Sequence, residues 1–282
     1  MSLTNGMQTV DAASKTFRGH LPVPPSFDDK LEEREYIKFR LAQAFRIFGN
    51  RGYDEGVAGH ITIRDPIKQD CFWVNPYGLH FKLIQPDDLL LVDHRGKILE
   101  ESGQKDGPFR ILNNAAFMIH SAIHAARPDV MCAAHSHSVY GKAFSAFGKA
   151  LDPINQDVCA FYNDHVVYQQ YNGIVLHEAE GKAITEALGS KKAAILQNHG
   201  LLVATSSIEA TVHFYITLER SCQVQLLVDA AKDADKPTLI DPVDAAETAK
   251  ILGSHMSAWL KGNMQFMVLE REEGVNWGGK AV

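Results

Sequence analysis

The sequence predicts one mixed α/β domain, and three observations support this prediction. Apolar residues make up 45% of the 282 residues and charged residues 22%, which is typical of a globular protein with a large core. Segments with helical periodicity alternate with short β-like runs that end in turn residues. No repeat of fixed period and no linker interrupts the central part of the chain. These features exclude a disordered or fibrous protein.

The two ends of the chain are predicted to lie outside this domain. Residues 1–27 end in a proline-rich stretch, Leu21-Pro22-Val23-Pro24-Pro25, which cannot propagate a helix or sheet. We therefore predict an extended N-terminal arm over 1–27. The domain itself is predicted over residues 28–262, and a polar C-terminal tail over 263–282.

Helices are predicted where apolar residues recur three and four positions apart and a Gly or Pro follows. In the first helix, Leu41, Ala44 and Phe48 have this spacing, and Gly49 supplies the stop. The predicted helices cover approximately residues 28–50, 113–126, 139–147, 178–188, 208–231 and 243–260.

Strands are predicted where short apolar runs lie between turn residues such as Asp65-Pro66 and Asn75-Pro76. The predicted strands cover approximately residues 57–63, 71–74, 89–92, 130–135, 166–168, 193–196 and 201–204. Because Asn198-His199-Gly200 separates the last two runs, it is predicted to be a turn between strands.

Charge and hydropathy exclude several classes of partner. The net charge is −6 and no block of basic residues occurs, which argues against nucleic acid or an anionic membrane as the main partner. No apolar run reaches the roughly 18 residues of a membrane span, and the N-terminus lacks an apolar signal core. We therefore expect a cytoplasmic protein. The four cysteines are far apart, without a Cys-x-x-Cys pair, so neither a disulfide framework nor a thiolate zinc site is expected.

Three of the 13 histidines are placed where a metal site would need them. His135 and His137 lie at the end of an apolar run, and the alternation of a strand directs both side chains to the same face. His199 also follows an apolar run, and Gly200 beside it permits a tight turn. Three imidazoles are a typical ligand set for a divalent ion. The spacing alone would fit partly exposed histidines without a ligand equally well.

Three other histidines, His60, His120 and His124, lie at positions that a metal or catalytic site could use. His120 and His124 share one face of a predicted helix at the spacing of zinc-protease helices, but the Glu that makes such a helix catalytic does not follow His120. We expect these two to be structural. His60 follows Gly59, a residue that lets the backbone approach a ligand, and its role is left open.

Five motifs together resemble the class II aldolase/adducin family, over approximately residues 33–231. In chain order these motifs are Gly59-His60-Ile61-Thr62, Asn75-Pro76-Tyr77-Gly78-Leu79, residues 119–130, His135-Ser136-His137 and Asn198-His199-Gly200. Five motifs in the same order are far more specific than any one of them.

The resemblance implies a fold and an activity. The fold would be a single α/β domain with a central, mainly antiparallel sheet between helical layers, assembled as a homotetramer. His135, His137 and His199 would hold a divalent ion, zinc first and manganese second. The enzyme would cleave a ketose 1-phosphate, such as L-fuculose 1-phosphate, into dihydroxyacetone phosphate and an aldehyde through a metal-stabilised enediolate. The substrate-binding residues implied by the motifs are Gly59, Asn75, Gly78 and Asn114.

One departure from the family pattern affects the chemistry. The family's catalytic Glu, four residues before the helix histidine, falls on Ala116, which can neither donate nor accept a proton. The substitute base could be a metal-bound hydroxide, His60, Asp157, Tyr162 or a side chain of a neighbouring subunit. We assign His60 and Tyr162 as the catalytic candidates.

Three functions therefore remain under consideration. An aldolase is placed first because sugar-phosphate lyases dominate the characterised members of the family. A metal-dependent decarboxylase of the same fold is the alternative that the loss of the Glu favours. A non-enzymatic, adducin-like binding domain is the third, and the presence of all three histidines argues against it.

Overall fold

A seven-stranded sheet forms the centre of the computed structural model, which describes residues 21–173, 178–231 and 236–278. The strands are β1 (His60–Arg64), β2 (Phe72–Val74), β3 (Leu90–Val92), β4 (Cys132–Ser136), β5 (His165–Tyr168), β6 (Ala193–Leu196) and β7 (Gly200–Thr205). Their spatial order is β3-β2-β1-β4-β7-β6-β5, and every neighbouring pair is antiparallel except β5 and β6. The prediction of a mainly antiparallel sheet is therefore confirmed.

Helices cover both faces of this sheet. Within the described ranges they are α1 (Lys30–Asn50), α2 (Asn114–Ala126), α3 (Val139–Ser145), α4 (Glu178–Leu188), α5 (Ile208–Ala230), α6 (Pro242–Leu252) and α7 (His255–Glu273). Helices α2 and α4 pack on one face through residues such as Ile123 and Leu188. Helices α1, α5 and α7 pack on the other face through Phe45, Phe214 and Phe266. The sheet between two helical layers was predicted and is confirmed.

The alternation of side chains along β4 determines which layer each residue meets. Ala133 packs in the cluster with α2 and α4, whereas Cys132 and Ala134 pack in the cluster with α1 and α5. His135 has the same parity as Ala133, so its side chain lies on the face covered by α2. His135 therefore lies near one end of the sheet, on the face that α2 covers.

The C-terminal part differs from the prediction. Instead of one helix over 243–260 and a tail from 263, two helices form, and α7 continues to Glu273, where Gly274 ends it with a left-handed φ of 69°. Residues 263–273 include five apolar residues, so this stretch is less polar than the prediction of a polar tail implies. Phe266 and Leu269 are buried in the core, and this burial stabilises the additional turns.

The N-terminal arm is described only in part. Residues 21–27 form neither helix nor strand, as the prolines predict, and residues 1–20 lie outside the described residues. The last four residues of the predicted tail, 279–282, lie outside them as well. No helix in the described ranges is both long enough and apolar enough to cross a membrane.

A buried charged network joins three helices behind the sheet. Arg40 of α1 donates to Glu209 of α5 at 2.9 Å and to Glu270 of α7 at 2.8 Å. The same guanidinium donates to Asn263 at 2.6 Å. Because Arg40 and Glu209 are both 4% exposed, neither charge can be solvated if its partner is lost.

We therefore expect Arg40→Leu to lower the free energy of unfolding by about 3–5 kcal/mol, because it leaves two carboxylates without their cation. The matched control is Lys30→Leu, which breaks an exposed ion pair with Glu33 and should cost less than about 1 kcal/mol. Chemical denaturation followed by circular dichroism measures both. Equal losses in the two variants would contradict the importance of the network.

Candidate metal and substrate site

Three histidines from two neighbouring strands converge at one end of the sheet. His135 lies near the end of β4, His137 directly follows this strand, and His199 lies in the turn between β6 and β7. Their ring centroids are 4.6 to 5.1 Å apart. One ring nitrogen of each lies within 4.8 Å of the others, which is close enough for all three to share one ion.

Strand pairing determines which nitrogen of His135 is free. The Nδ1 of His135 donates a hydrogen bond of 2.9 Å to the carbonyl oxygen of Leu201 in β7. Because a carbonyl can only accept, the proton must be on Nδ1, and Nε2 keeps its lone pair. A histidine that donates its other N–H to a backbone carbonyl is the usual arrangement at a metal ligand.

The turn that carries His199 is shaped by the residues on either side of it. Asn198 adopts a left-handed conformation with φ of 57°, which Asn tolerates better than most residues. Gly200 is required by close packing, since a Cβ there would lie 2.6 Å from the carbonyl oxygen of Ser136. These two residues explain why the tripeptide Asn198-His199-Gly200 brings the imidazole against β4.

Helix α5, on the face of the sheet opposite to α2, contacts the segment that carries His137. The hydroxyl of Tyr215 donates to the carbonyl oxygen of Ser136 at 3.0 Å and accepts from the Ser136 hydroxyl at 2.8 Å. The carboxylate of Glu219 accepts from the amides of Tyr140 and Gly141 at 2.9 and 2.7 Å, at the start of α3. These contacts position Ser136, immediately before His137, and the first turn of α3, which begins two residues after it.

The three imidazoles are neutral because of their surroundings. Burial, and then the neighbouring imidazoles, lower the pKa of His135 well below its usual value. Burial and then His137 lower the pKa of His199 to about 4. Burial and then the Lys142 cation lower the pKa of His137, while Glu55 opposes this effect. At neutral pH all three lone pairs are therefore available, and the donor set fits a divalent ion.

A cavity of about 380 Å³ opens beside the histidines. Its walls combine the trio with residues from the beginning of β1 and the segment before it, the first half of α2, α3 and its C-terminal end, the segment after β5 and the turn before β7. These residues are Ala58, Gly59, His60, Asn113, Ala115, Ile119, Lys142, Ala146, Tyr171, Gly173 and Asn198. None of the described residues that line this cavity is a carboxylate. The only charged lining residue in that set is Lys142, which is paired with Glu55.

Two further residues named from the sequence lie at this cavity. His60 is paired directly opposite His135 in the register of β1 and β4, and their ring centroids are 5.0 Å apart. Gly59 has φ of 101°, and a Cβ there would lie 3.2 Å from the Cβ of Ser136. Glycine thus meets both a backbone and a packing requirement at this position.

The structure does not bring four other predicted residues to the cavity. Tyr162 follows a short 3-10 helix and lines a different cavity with Leu151 and His165. Asn75 is buried just beyond β2, and β1 lies between β2 and β4 in the sheet. Gly78 is exposed and faces Phe109.

The fourth is Asn114, the first residue of α2, whose side chain is exposed. Its neighbour Asn113 lines the cavity instead, because it is the N-cap and folds its side chain over the first turn, accepting from the amide of Ala115 at 3.0 Å. Sequence reasoning therefore missed Asn113 by one position. It also missed Lys142. The signal that could have indicated this residue is its position in the first turn of α3, which begins two residues after the His135-Ser136-His137 motif.

Loss of a metal ligand should be distinguishable from loss of a structural histidine. We expect His135→Ala and His199→Ala to lose a bound divalent ion, because each removes one of three nitrogens. His120→Ala should retain the ion and mainly lose stability, since His120 lies outside the trio. Elemental mass spectrometry on tag-free protein measures the metal content. Equal content in the His135 and His120 variants would contradict the assignment.

The support from α5 can be tested separately. Tyr215→Phe keeps the ring but removes the hydroxyl that holds Ser136, so zinc affinity should fall by about 10-fold or more. Competition with a chromophoric chelator measures this affinity. The control is Tyr168→Phe, because the Tyr168 hydroxyl is buried without a hydrogen-bond partner among the described residues. A similar fall in both variants would mean that Tyr215 does not position the ligands.

Comparisons with known proteins identify the family of this chain. The family model of the Class II Aldolase and Adducin N-terminal domain matches residues 39–226. The structure of L-fuculose 1-phosphate aldolase from Glaciozyma antarctica PI12 is 45% identical, with a TM-score of 0.82, and the match covers 89% of this chain and 95% of that one.

Two relatives carry other names. Decarboxylase NovR of Streptomyces niveus is 43% identical over 237 residues, which are 84% of each protein. The 4-hydroxy-3-prenylphenylpyruvate oxygenase/4-hydroxy-3-prenylbenzoate synthase of Streptomyces roseochromogenus subsp. oscitans is 43% identical over 238 residues, 84% of this chain and 82% of that protein. With a family model that spans most of its length and relatives of this identity, the chain belongs to the class II aldolase/adducin family.

Proposed function

We propose that this protein is a metal-dependent carbon–carbon lyase, and that the bond it breaks releases carbon dioxide from a small anionic substrate. The observation that carries the proposal is the composition of the cavity wall. It combines four imidazoles, those of the trio and of His60, and one ammonium group with no carboxylate among its described residues.

The absence of a carboxylate among the described wall residues favours decarboxylation over aldol cleavage. Cleavage of an aldol requires a base that removes the hydroxyl proton as the carbon–carbon bond breaks. The position of the family's Glu is Ala116, which is 1% exposed and does not line the cavity. In decarboxylation, the electrons of the broken bond form an enolate and no hydroxyl proton has to leave first. A site without an acidic side chain is therefore better suited to a 3-oxo acid.

Six residues of the cavity have a role in this scheme. His135, His137 and His199 would hold a divalent ion, which when bound supplies Lewis-acid stabilisation of the enolate oxygen. Lys142 places a cation beside His137 for an anionic group of the substrate. The side-chain amide of Asn113 can donate a hydrogen bond to a substrate oxygen, because its own oxygen already accepts from the first turn of α2. His60 lies beside His135 and is the one predicted catalytic residue on this wall.

The relatives support both lyase reactions. A protein named as a decarboxylase shares 43% identity with this chain, which favours loss of carbon dioxide. A solved structure named as an L-fuculose 1-phosphate aldolase shares 45% identity and therefore keeps aldol cleavage as the second candidate. Among the substitute bases considered for an aldolase, Asp157 and Tyr162 lie at other cavities, so His60 is the side chain of this chain that would serve.

Several finer predictions accompany the proposal. Zinc is proposed as the ion, with manganese as the alternative, because three neutral imidazoles suit both. A homotetramer and a cytoplasmic location are predictions from the family resemblance and from the sequence.

The test uses protein reconstituted with zinc or manganese, with and without a chelator. Release of carbon dioxide is measured with a panel of 3-oxo acids and hydroxylated acids, and release of dihydroxyacetone phosphate with L-fuculose 1-phosphate. We expect chelator-sensitive release of carbon dioxide that continues without oxygen, a comparison made because one relative is named an oxygenase. Release of dihydroxyacetone phosphate alone would favour the aldolase. No turnover and no bound metal would favour an adducin-like binding domain.

A lysine variant tests recognition of the anionic substrate. Lys142→Met should raise KM by about 10-fold or more with a smaller effect on kcat, because it removes a charge-assisted contact that substrate and transition state share. The control is Lys149→Met, since Lys149 forms an ion pair with Asp229 outside this cavity. Steady-state kinetics with the active substrate measures both, and equal effects would contradict the role of Lys142.

A further inference from the structure

An ion pair connects two segments that form the wall of the cavity beside the three histidines. The ammonium group of Lys142 in α3 contacts the carboxylate of Glu55, which lies in the segment between α1 and β1. Lys142 lines the cavity, whereas Glu55 is not among the described lining residues. The side chain of Lys142 is 36% exposed and that of Glu55 is 60% exposed, so solvent reaches both. We call this contact the Glu55–Lys142 pair.

The backbone that carries Glu55 is fixed on both sides. Before it, Tyr53 is buried in the core, and a carboxylate oxygen of Asp54 lies 2.9 Å from Nε2 of His80. After it, the amide of Ala58 donates to the carbonyl oxygen of Glu55 at 3.0 Å, which closes a turn over residues 55–58. The carboxylate of Glu55 is therefore held next to α3.

The helix that carries Lys142 is also held in place. A Cβ at Gly141 would lie 2.6 Å from Cγ of Leu201, so α3 packs directly on β7. The amide of Lys142 donates to the carbonyl oxygen of Ser138 at 2.9 Å. The flexible stem of a lysine separates this backbone from the ammonium group. The ammonium group can therefore turn from Glu55 to a ligand in the cavity while α3 stays in place.

The Glu55–Lys142 pair affects carboxylate and phosphoryl groups differently. Lys142 is the only charged side chain among the described lining residues, and Glu55 neutralises it. A ligand carboxylate that replaces Glu55 on Lys142 carries the same single charge as the group it replaces. A phosphoryl group carries nearly two negative charges at neutral pH, so one ammonium group cannot balance it. Because Coulomb energies are proportional to charge, Glu55 opposes a phosphoryl group more strongly than a carboxylate.

The N-terminus of α2 is the other feature of the cavity wall that could attract a phosphoryl group. Asn113 and Ala115 line the cavity there. The Oδ1 of Asn113 accepts from the amides of Ala115 and Ala116 at 3.0 and 3.4 Å. These two amides are therefore bonded within the chain and do not offer their protons to a phosphoryl oxygen.

The exposure of the Glu55–Lys142 pair permits the exchange with a ligand carboxylate. Ion pairs between exposed side chains contribute little net stability, because water solvates each charge when the pair opens. A buried pair such as Arg40 with Glu209 would lose much more. The Glu55–Lys142 pair is thus weak enough for a ligand to open.

We propose that Glu55 is a specificity-determining residue, which neutralises Lys142 and thereby gives the cavity a preference for a carboxylate over a phosphoryl group. A divalent ion at the histidine trio would attract both kinds of anion and does not remove the difference that Glu55 makes. The proposal rests on the proposed function in its choice of an anionic ligand. It deepens that function by assigning the ligand to the carboxylates and not to the sugar phosphates.

The test compares two unreactive ligands by isothermal titration calorimetry of the zinc-loaded protein at about pH 8, where a phosphate ester carries two charges. Diglycolate has two carboxylates, and 2-phosphoglycolate has a phosphoryl group in place of one of them. We expect Glu55→Gln to lower the Kd for diglycolate by about 3-fold, which is the size of effect that an exposed ion pair has. The Kd for 2-phosphoglycolate should fall by about 10-fold, because the phosphoryl group carries twice the charge.

Two further variants show whether the charge of Glu55 at this position is the cause. Glu55→Asp keeps the charge and should retain the wild-type ratio of the two Kd values. Glu247→Gln removes the same charge from an exposed pair with Lys250 outside the cavity, and it should leave both Kd values unchanged.

Three results would overturn the proposal: equal changes for the two ligands in Glu55→Gln, no change or no detectable binding in that variant, or the same changes in Glu247→Gln. A lack of lyase activity would count against the proposed function alone, since calorimetry with these ligands needs no turnover.

Discussion

The antiparallel pairing of β1, β4 and β7 is the constraint on which the candidate site depends. This pairing places His60 opposite His135 and brings the carbonyl oxygen of Leu201 to the Nδ1 of His135. The backbone ladder therefore sets both the distance between the side chains and the nitrogen that His135 has free. A one-residue slip would turn His135 to the other face of the sheet and separate it from α2.

The two helical layers support the site in different ways. On one face, Tyr215 and Glu219 of α5 bind the backbone before and after His137. On the other face, His120 and His124 of α2 contact the side chains of β1. One layer thus holds the segment that carries His137 in place, and the other contacts the side chains of β1 next to the candidate ligands. Both use buried polar groups that form hydrogen bonds with one another, which lowers the free-energy cost of placing such groups in a core.

The wall of the cavity distinguishes this chain from the family pattern described by its motifs. Ala116, which occupies the position where the family pattern implies a Glu, is a buried residue of the first turn of α2 and offers no proton donor or acceptor in its side chain. The charge that remains on the described wall is that of Lys142. In the proposed function, Lys142, which is paired with Glu55, is the cation for an anionic substrate, and the described residues of the wall supply no acidic side chain to the reaction. These features together favour decarboxylation over aldol cleavage.

The sequence by itself determined the sheet and the candidate ligands, because both depend on local patterns. Strand β6 was predicted with the bounds that the structure has, and the apolar runs before His135 and His199 placed these histidines at strand ends. Only the tertiary structure decided which other residues share the cavity. Asn113 replaces Asn114 because of how the cap of α2 folds, Tyr162 lies at another cavity, and α7 extends to Glu273 because Phe266 is buried. The contacts that join His60, His120, Thr62 and His124 likewise connect residues 58 to 62 positions apart in the chain. No local sequence pattern could predict that β1 and α2 lie next to each other.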